Sequence, residues 1–481
     1  MQIKDKHLTL ITYLISFWVW FLLPFYGLAQ LSTKHYIPPI PAENYEDYVF
    51  YDSSFLYIST PYPEVRFTIK PIGQSANNWI TGVVTNTDSF KVQVFNDTVG
   101  ADSSKVQNGF AFTDKGFEIV ADREIYVSLR IKADNHAGAL VSKGLDALGK
   151  DFLVGGMERE EESDFSFFSI MATQNNTIVE FTADPQLVAL NTDGTLPQRI
   201  VLNKNESYVA LFNGLNCARF IGTRIQSQND IVVNTGSILG SFSNEIIDSP
   251  NFFDGEEDYG YLNGSDIGFD QLVSLDDSVD ATEYLLIKGD SFNSVENALV
   301  IASENGTQIY LNESSNSLIS LDAGEHLFIE GNLFVQNPNS NIDFLQISSN
   351  KNIYVFQGTG KKGEAEGTFL GGQRVHFYGA NQGMFFVPPL SCTSTGDVES
   401  IARIDEVDSF SNFSGSIFVV SSYGSTVEVN GQSISLLQGV TYEPGPIQSS
   451  SSEYQIHRID GLSWSRASKK RLFLIDRIFC D

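Results

Sequence analysis

The chain has 481 residues, with 59 Asp and Glu against 30 Lys and Arg, for a formal net charge of −29. A nucleic-acid binder needs a basic footprint to displace phosphate counterions, so this balance excludes that class of partner and predicts a soluble, self-repelling surface. The 36 Phe and 19 Tyr, against 4 Met, favour strand-rich cores over helical ones, and the length suits roughly three or four domains.

At the start, Lys4 and Lys6 precede an apolar block from Leu8 to Tyr26, which is followed by Gly27-Leu28-Ala29. Small residues three and one before a cut are the signal-peptidase pattern, so residues 1–29 read as a signal peptide cleaved after Ala29. The block is long enough to span a bilayer, and a retained anchor is the alternative; Pro24 and the Gly-x-Ala favour cleavage, which leaves the mature chain without a transmembrane segment. Residues 30–47, with Pro38, Pro39 and Pro41, form an extended lead-in.

From there the sequence repeats. The cassette SIMATQNNTIVEF at Ser169 returns as VIASENGTQIYL at Val300 and as VVSSYGSTVEV at Val419, which aligns Thr177, Thr307 and Thr426. Each copy has an apolar run, an Asn or Gly turn, a Thr and a second run, the pattern of a β-hairpin. LGKDFLVGG at Leu148, DATEYLLIKG at Asp280 and NQGMFFVPP at Asn381 precede the copies as leading strands, while LNKNESYV, LDAGEHLF and LLQGVTYE follow them. Closing phrases IVADREIYVSL, IQSQNDIVVNTG and ISSNKNIYVFQG align with one another, so a further unit lies upstream. The predicted order is β unit one at 48–147, unit two at 148–240, an acidic insertion at 241–279, unit three at 280–378 and unit four at 379–481. Unit four is expected to be incomplete, because after Gly461 it switches to a basic tail, SWSRASKKRLFLIDRIFCD, instead of a closing strand.

The insertion carries the best candidate site. Asp254, Glu256, Glu257, Asp258, Asp266 and Asp270 offer hard oxygen ligands on a Gly-broken loop, the type Ca²⁺ prefers. Their spacing matches neither the EF-hand loop nor the nine-residue calcium repeat, and a solvated acidic loop is the plainer reading. Phe252, Phe253, Tyr259, Tyr261 and Phe269 are interleaved with the acids; the first four are candidate partner contacts, since aromatics dominate interface hot spots, or else they pin the loop to unit three. A second acidic run, Glu158 to Asp164, reads as a guarded strand edge.

No catalytic pattern is present. The His residues are scattered without the paired spacing of a zinc site, and no GxSxG occurs. Cys217, Cys392 and Cys480 give no disulfide framework.

GFDQLVSLDDSVDATEYLLIKG, with the ALVIASENGTQIYLN and SLDAGEHLFI that follow, resembles the N-terminal domain of IgGFc-binding proteins. In that family an acidic residue and "QL" precede a G-x-Y strand, an A-x-x-x-G-T-x-I hairpin and an L-x-x-G-E turn. The opening HYIPPIPAENYEDYVFYDSSFLYISTP looks like the secreted members from gliding bacteria, which commonly carry a type IX secretion sorting domain; no such domain is found here. The resemblance is drawn from about Tyr48 to Pro446. The chain is therefore expected to be all-β, built of tandem β-sandwich-like units, with a β-propeller as the alternative. It is read as a secreted or cell-surface adhesion module without catalysis and without a cofactor beyond calcium, whose partner is an extracellular protein or glycan. A glycan-processing component or a structural matrix protein are the alternatives.

Overall fold

The computed structural model describes residues 31–42, 44–45, 48–49, 53–94, 99–102, 110–133, 136–157, 165–187, 196–213, 217–240, 248–250, 259–261, 266–274, 280–288, 296–312, 314–336, 343–359, 362–369, 372–378, 383–387, 389, 419–420, 425–429, 432–436 and 441–442. The protein is all-β. Its described helical pieces are single turns such as Ala76–Asn78, Gly144–Ala147 and Cys217–Phe220.

Unit one contains β1 (Ser32–Ile37), β2 (Ser53–Ser59), β3 (Val65–Pro71), β4 (Ile80–Val84), β5 (Phe90–Val94), β6 (Phe117–Ala133) and β7 (His136–Val141). The 17-residue β6 is the spine. Its first half pairs antiparallel with β1 and β3, and its second half with β2 and β7. Strand β4 extends the first group and β5 the second. One long strand thus belongs to two facing sheets, and alternation along each strand sends Val65, Phe67, Ile69, Ile119, Leu56, Ile58, Val127 and Leu129 into the core between them.

Unit two repeats this layout with β8 (Gly149–Leu153), β9 (Phe165–Ala172), β10 (Thr177–Thr182), β11 (Arg199–Leu202), β12 (Ser207–Asn213), the spine β13 (Arg224–Gly240), a small hairpin β14 (Asp248–Pro250) and β15 (Tyr259–Tyr261), and β16 (Asp266–Gln271). The first half of β13 pairs with β8 and β10, the second with β9 and β16. Unit three does the same with β17 (Glu283–Ile287), β18 (Glu296–Ala302), β19 (Thr307–Leu311), β20 (Ile319–Leu321), β21 (His326–Ile329), a spine split into β22 (Asp343–Ser349) and β23 (Ile353–Thr359), a hairpin β24 (Lys362–Phe369) and β25 (Gly372–Tyr378), and β26 (Gly383–Val387). Strands β17 and β19 pair with β22, and β18 and β26 with β23.

Two sequence expectations are corrected by these pairings. The cassette is not a hairpin: β9 and β10 do not pair with each other but each pairs with a different half of β13, and β18 and β19 divide between β23 and β22 in the same way. The turn is an arch that carries the chain from one sheet to the facing one. A hairpin and an arch share the same alternating runs and the same Asn or Gly corner, and only the spine, distant in sequence, decides between them. The phrase NQGMFFVPP is also reassigned. Its strand β26 pairs with the spine from Thr359↔Gly383 to Val355↔Val387, the place of β7 and β16, so it closes unit three.

The arches themselves are equivalent. Thr177 and Thr307 are fully buried, and their hydroxyls donate to the carbonyls of Gln174 (2.8 Å) and Glu304 (2.6 Å). A second arch lies beside each first one. Asn205 N–H donates to the Ala172 carbonyl at 2.7 Å and Gly324 N–H to that of Ala302 at 2.9 Å, while the Glu206 and Glu325 carboxylates accept from Asn203 and Asp322 N–H, both at 2.7 Å. Asn175 and Asn305 tie the two arches together by accepting from Lys204 and Ala323 N–H, both at 3.0 Å. The corners at Asn176 (φ 56°) and Gly306 (φ 68°) are left-handed, which suits Asn and Gly. In the third copy, β27 (Val419–Val420), β28 (Ser425–Val429), β29 (Gln432–Leu436) and β30 (Thr441–Tyr442) are described as backbone. The pairing Val419↔Tyr442 occupies the register of Ile170↔Tyr208 and Val300↔Leu327.

The units are not separate beads. All of β9 is buried: Phe165 and Phe167 enter the core of unit one, while Phe168, Ile170 and Ala172 enter that of unit two. Strand β18 likewise sends Leu299 and Ile301 to unit two and Ala298, Val300 and Ala302 to unit three. Each such large apolar side chain contributes about 1.5–3 kcal/mol by burial.

Candidate functional site

Where β7, β16 and β26 meet lies a buried polar junction. Asp270 sits one residue before the end of β16, and its carboxylate lies 3.0 and 3.2 Å from Lys143 Nζ while accepting from the backbone N–H of Gln271 (2.8 Å) and Phe386 (3.0 Å). Gln271 Nε2 donates to the Tyr36 carbonyl and to Asn234 Oδ1, and its Oε1 accepts from Lys143 N–H at 2.8 Å. The Ser142 hydroxyl stands between Gln271 Oε1 (3.0 Å) and His35 Nδ1 (3.1 Å), and His35 Nε2 faces the carbonyls of Ser32 and Ile125. Burial pushes the His35 imidazole down to about 4, so at neutral pH the ring is uncharged.

This network contains a serine, a histidine, a lysine and a carboxylate, yet it is sealed. His35, Ser142 and Gln271 are 0% exposed, Asp270 3% and Lys143 4%, so no substrate could reach them. Its role is to join units one, two and three. Sequence reasoning missed Lys143, Ser142 and His35; the only signal was the Asp-Gln-Leu at 270–272, whose partners lie more than 100 residues away.

The junction also removes Asp270 from the calcium set, because a carboxylate already held by an ammonium and two N–H groups has no oxygen to offer a cation. Of the other acids, Asp266 opens β16, and Asp254, Glu256, Glu257 and Asp258 lie outside the described residues. Among the described residues no group of three or more His, Cys, Asp or Glu could hold a metal. Tyr259 and Tyr261 are the ends of β15, paired with Pro250 and Asp248, while Phe252 and Phe253, like the run from Glu158 to Asp164, lie outside the described residues. Phe269 is buried in the core that unit two shares with unit one.

The connection between the spine and the strand that closes each unit differs in length from unit to unit. In unit one this connection is residues 134–135; in unit two it is 241–265 and carries the hairpin β14–β15; in unit three it is 360–382 and carries β24–β25. The acidic insertion and the Lys- and Arg-containing hairpin of unit three thus occupy equivalent places on consecutive units. The sequence shows the first as an insertion but not its equivalence to the second.

No helix among the described residues is long and apolar enough to cross a membrane. Neither the curated proteins nor the solved structures include a match to this chain. A family model described as "IgGFc binding protein" matches residues 138–472. The match starts within β7, leaves most of unit one outside it, and continues past Pro446 and Gly461 into the basic tail. The matched span covers more than half of the sequence, and the chain belongs to the IgGFc-binding protein family.

Proposed function

We propose that this protein is a secreted or cell-surface binding protein without catalytic activity, and that it meets an extracellular protein or glycan through the segments 241–265 and 360–382. The observation that carries this reading is their shared position: a stack of sheets with shared cores has a two-residue connection in unit one and long, hairpin-bearing connections in units two and three. Loops set on a rigid scaffold are where recognition residues accumulate. Membership of a binding family and the burial of the network of His35, Ser142, Gln271, Lys143 and Asp270 support the same conclusion. Asp254, Glu256, Glu257, Asp258 and Asp266 are offered as a calcium site.

The test uses the full chain and two variants in which 241–265 or 360–382 is replaced by Asn-Gly. Binding to immobilised immunoglobulin Fc and to a glycan array is measured with calcium and with chelator. Binding retained by both variants would refute the loop assignment, hydrolysis of any arrayed glycan would refute the non-catalytic reading, and insensitivity to chelator would remove calcium.

A further inference from the structure

The junction of units one and two presses an amine against a carboxyl group with no water between them. Lys143 follows β7, Asp270 lies in β16, and the two are 127 positions apart in the chain. Lys143 Nζ reaches both carboxylate oxygens, at 3.2 and 3.0 Å, which brings the nitrogen next to the carbon that joins them. The two side chains are only 5% and 4% exposed.

Charge is what normally keeps such a pair inert, because an ammonium has no lone pair and a carboxylate is a poor electrophile. Water maintains that charge in the open ion pairs: Lys34 and Glu118 are 31% and 11% exposed, and Asp343, the partner of Lys288, is 30% exposed. At Asp270 burial pushes the carboxyl up, toward the protonated acid, against the opposing pull of the Lys143 ammonium. One proton passed from Nζ to a carboxylate oxygen turns the ion pair into a free amine beside a neutral acid, with no change in net charge.

We propose that Lys143 and Asp270 condense into an isopeptide bond that ties unit one covalently to unit two. The Nζ lone pair attacks Asp270 Cγ, a C–N bond forms, and the carbonyl electrons move on to oxygen. Gln271 N–H stands 2.8 Å from one oxygen and Phe386 N–H 3.0 Å from the other, so whichever oxygen is retained has a donor in place to stabilise its negative charge. A second nitrogen proton passes to the other oxygen, the C–O bond breaks and water leaves. The sum is one ammonium and one carboxylate converted to one amide and one water, without an oxidant, a cofactor or a second molecule. Groups held in contact by a fold react with effective molarities on the order of 10⁵–10⁸ M, and the product replaces two buried charges by a neutral amide. His35, the other titratable group of the network, bonds to Ser142 and to two backbone carbonyls and takes no part in the step. The ion pair is the state from which condensation starts, so Asp270→Ala loses the pair and the bond together.

The test is a tryptic peptide map of the full chain, kept folded at neutral pH for several days before it is denatured and digested. An amide at Lys143 blocks cleavage there and joins peptide 133–150 to peptide 225–288, lighter by one water than the two together, with fragment ions placing the bond between Lys143 and Asp270. Asp270→Ala should instead release 133–143 and 144–150 separately, whether or not it folds, since it has no carboxyl to react. Recovery of 133–143 and 225–288 from wild type only as unlinked peptides would overturn the proposal, as would a joined peptide of the same kind from Asp270→Ala.

Discussion

Asp270→Ala tests whether the polar junction holds the three units together. In wild type the carboxylate neutralises a lysine that is 5% exposed at its side chain and satisfies the N–H groups of Gln271 and Phe386. Its removal leaves a buried ammonium, a loss of about 3–5 kcal/mol, and two N–H groups that each cost ~1–3 kcal/mol if no water replaces the acceptor. These terms are not additive, and the expected net loss is about 4 kcal/mol, a large share of the ~5–15 kcal/mol stability typical of a domain. Asp270→Asn keeps an acceptor and should lose less. Lys143→Met combined with Asp270→Leu removes both charges and should recover roughly half of the loss, because the buried ammonium is gone. Guanidinium unfolding of the four proteins, followed by tyrosine fluorescence and by far-UV circular dichroism, reads this out. If Asp270→Ala unfolds within about 0.5 kcal/mol of wild type, or if the double variant is no better than the single one, the junction is not what joins the units.

Gly155→Ala would place a methyl 2.4 Å from two ring carbons of Phe356, across the boundary between units two and three, and should cost about 1–3 kcal/mol in a thermal melt. Adding Phe356→Leu should restore part of it, and additive losses would show that the contact is not the cause. His35 contributes a pH dependence. Its folded-state value of about 4 lies below the ordinary 6.5, so its contribution is present above pH 6.5 and is lost as pH falls from 6.5 through 4. Over that interval the loss is at most ~3 kcal/mol, measured as the difference in urea stability between pH 7 and pH 4.5. His35→Asn should flatten that difference, and an unchanged difference would assign the pH dependence elsewhere.

How much was legible in the sequence varied with distance along the chain. Thr177 and Thr307 could be matched because a buried residue after an Asn or Gly corner leaves a local imprint, and the structure gives both the same hydrogen bond three residues back. Strand alternation could not say whether β9 and β10 lie side by side, because a hairpin and an arch have the same local grammar. The phrase at Asn381 was misplaced for a related reason: a short apolar strand after Gly looks alike whether it opens a unit or closes one.

The sequence by itself determined the class of fold, the acidic composition, the family and the repeating corners, since each of these depends on composition or on residues a few positions apart. Only the tertiary structure decided that the units share cores, that Asp270 belongs to Lys143 and not to a metal, and that segments 241–265 and 360–382 are counterparts. Those facts rest on pairings with two spine strands and on contacts between residues far apart in sequence, and a side chain's neighbours across a sheet are set by register and packing, which no local pattern records.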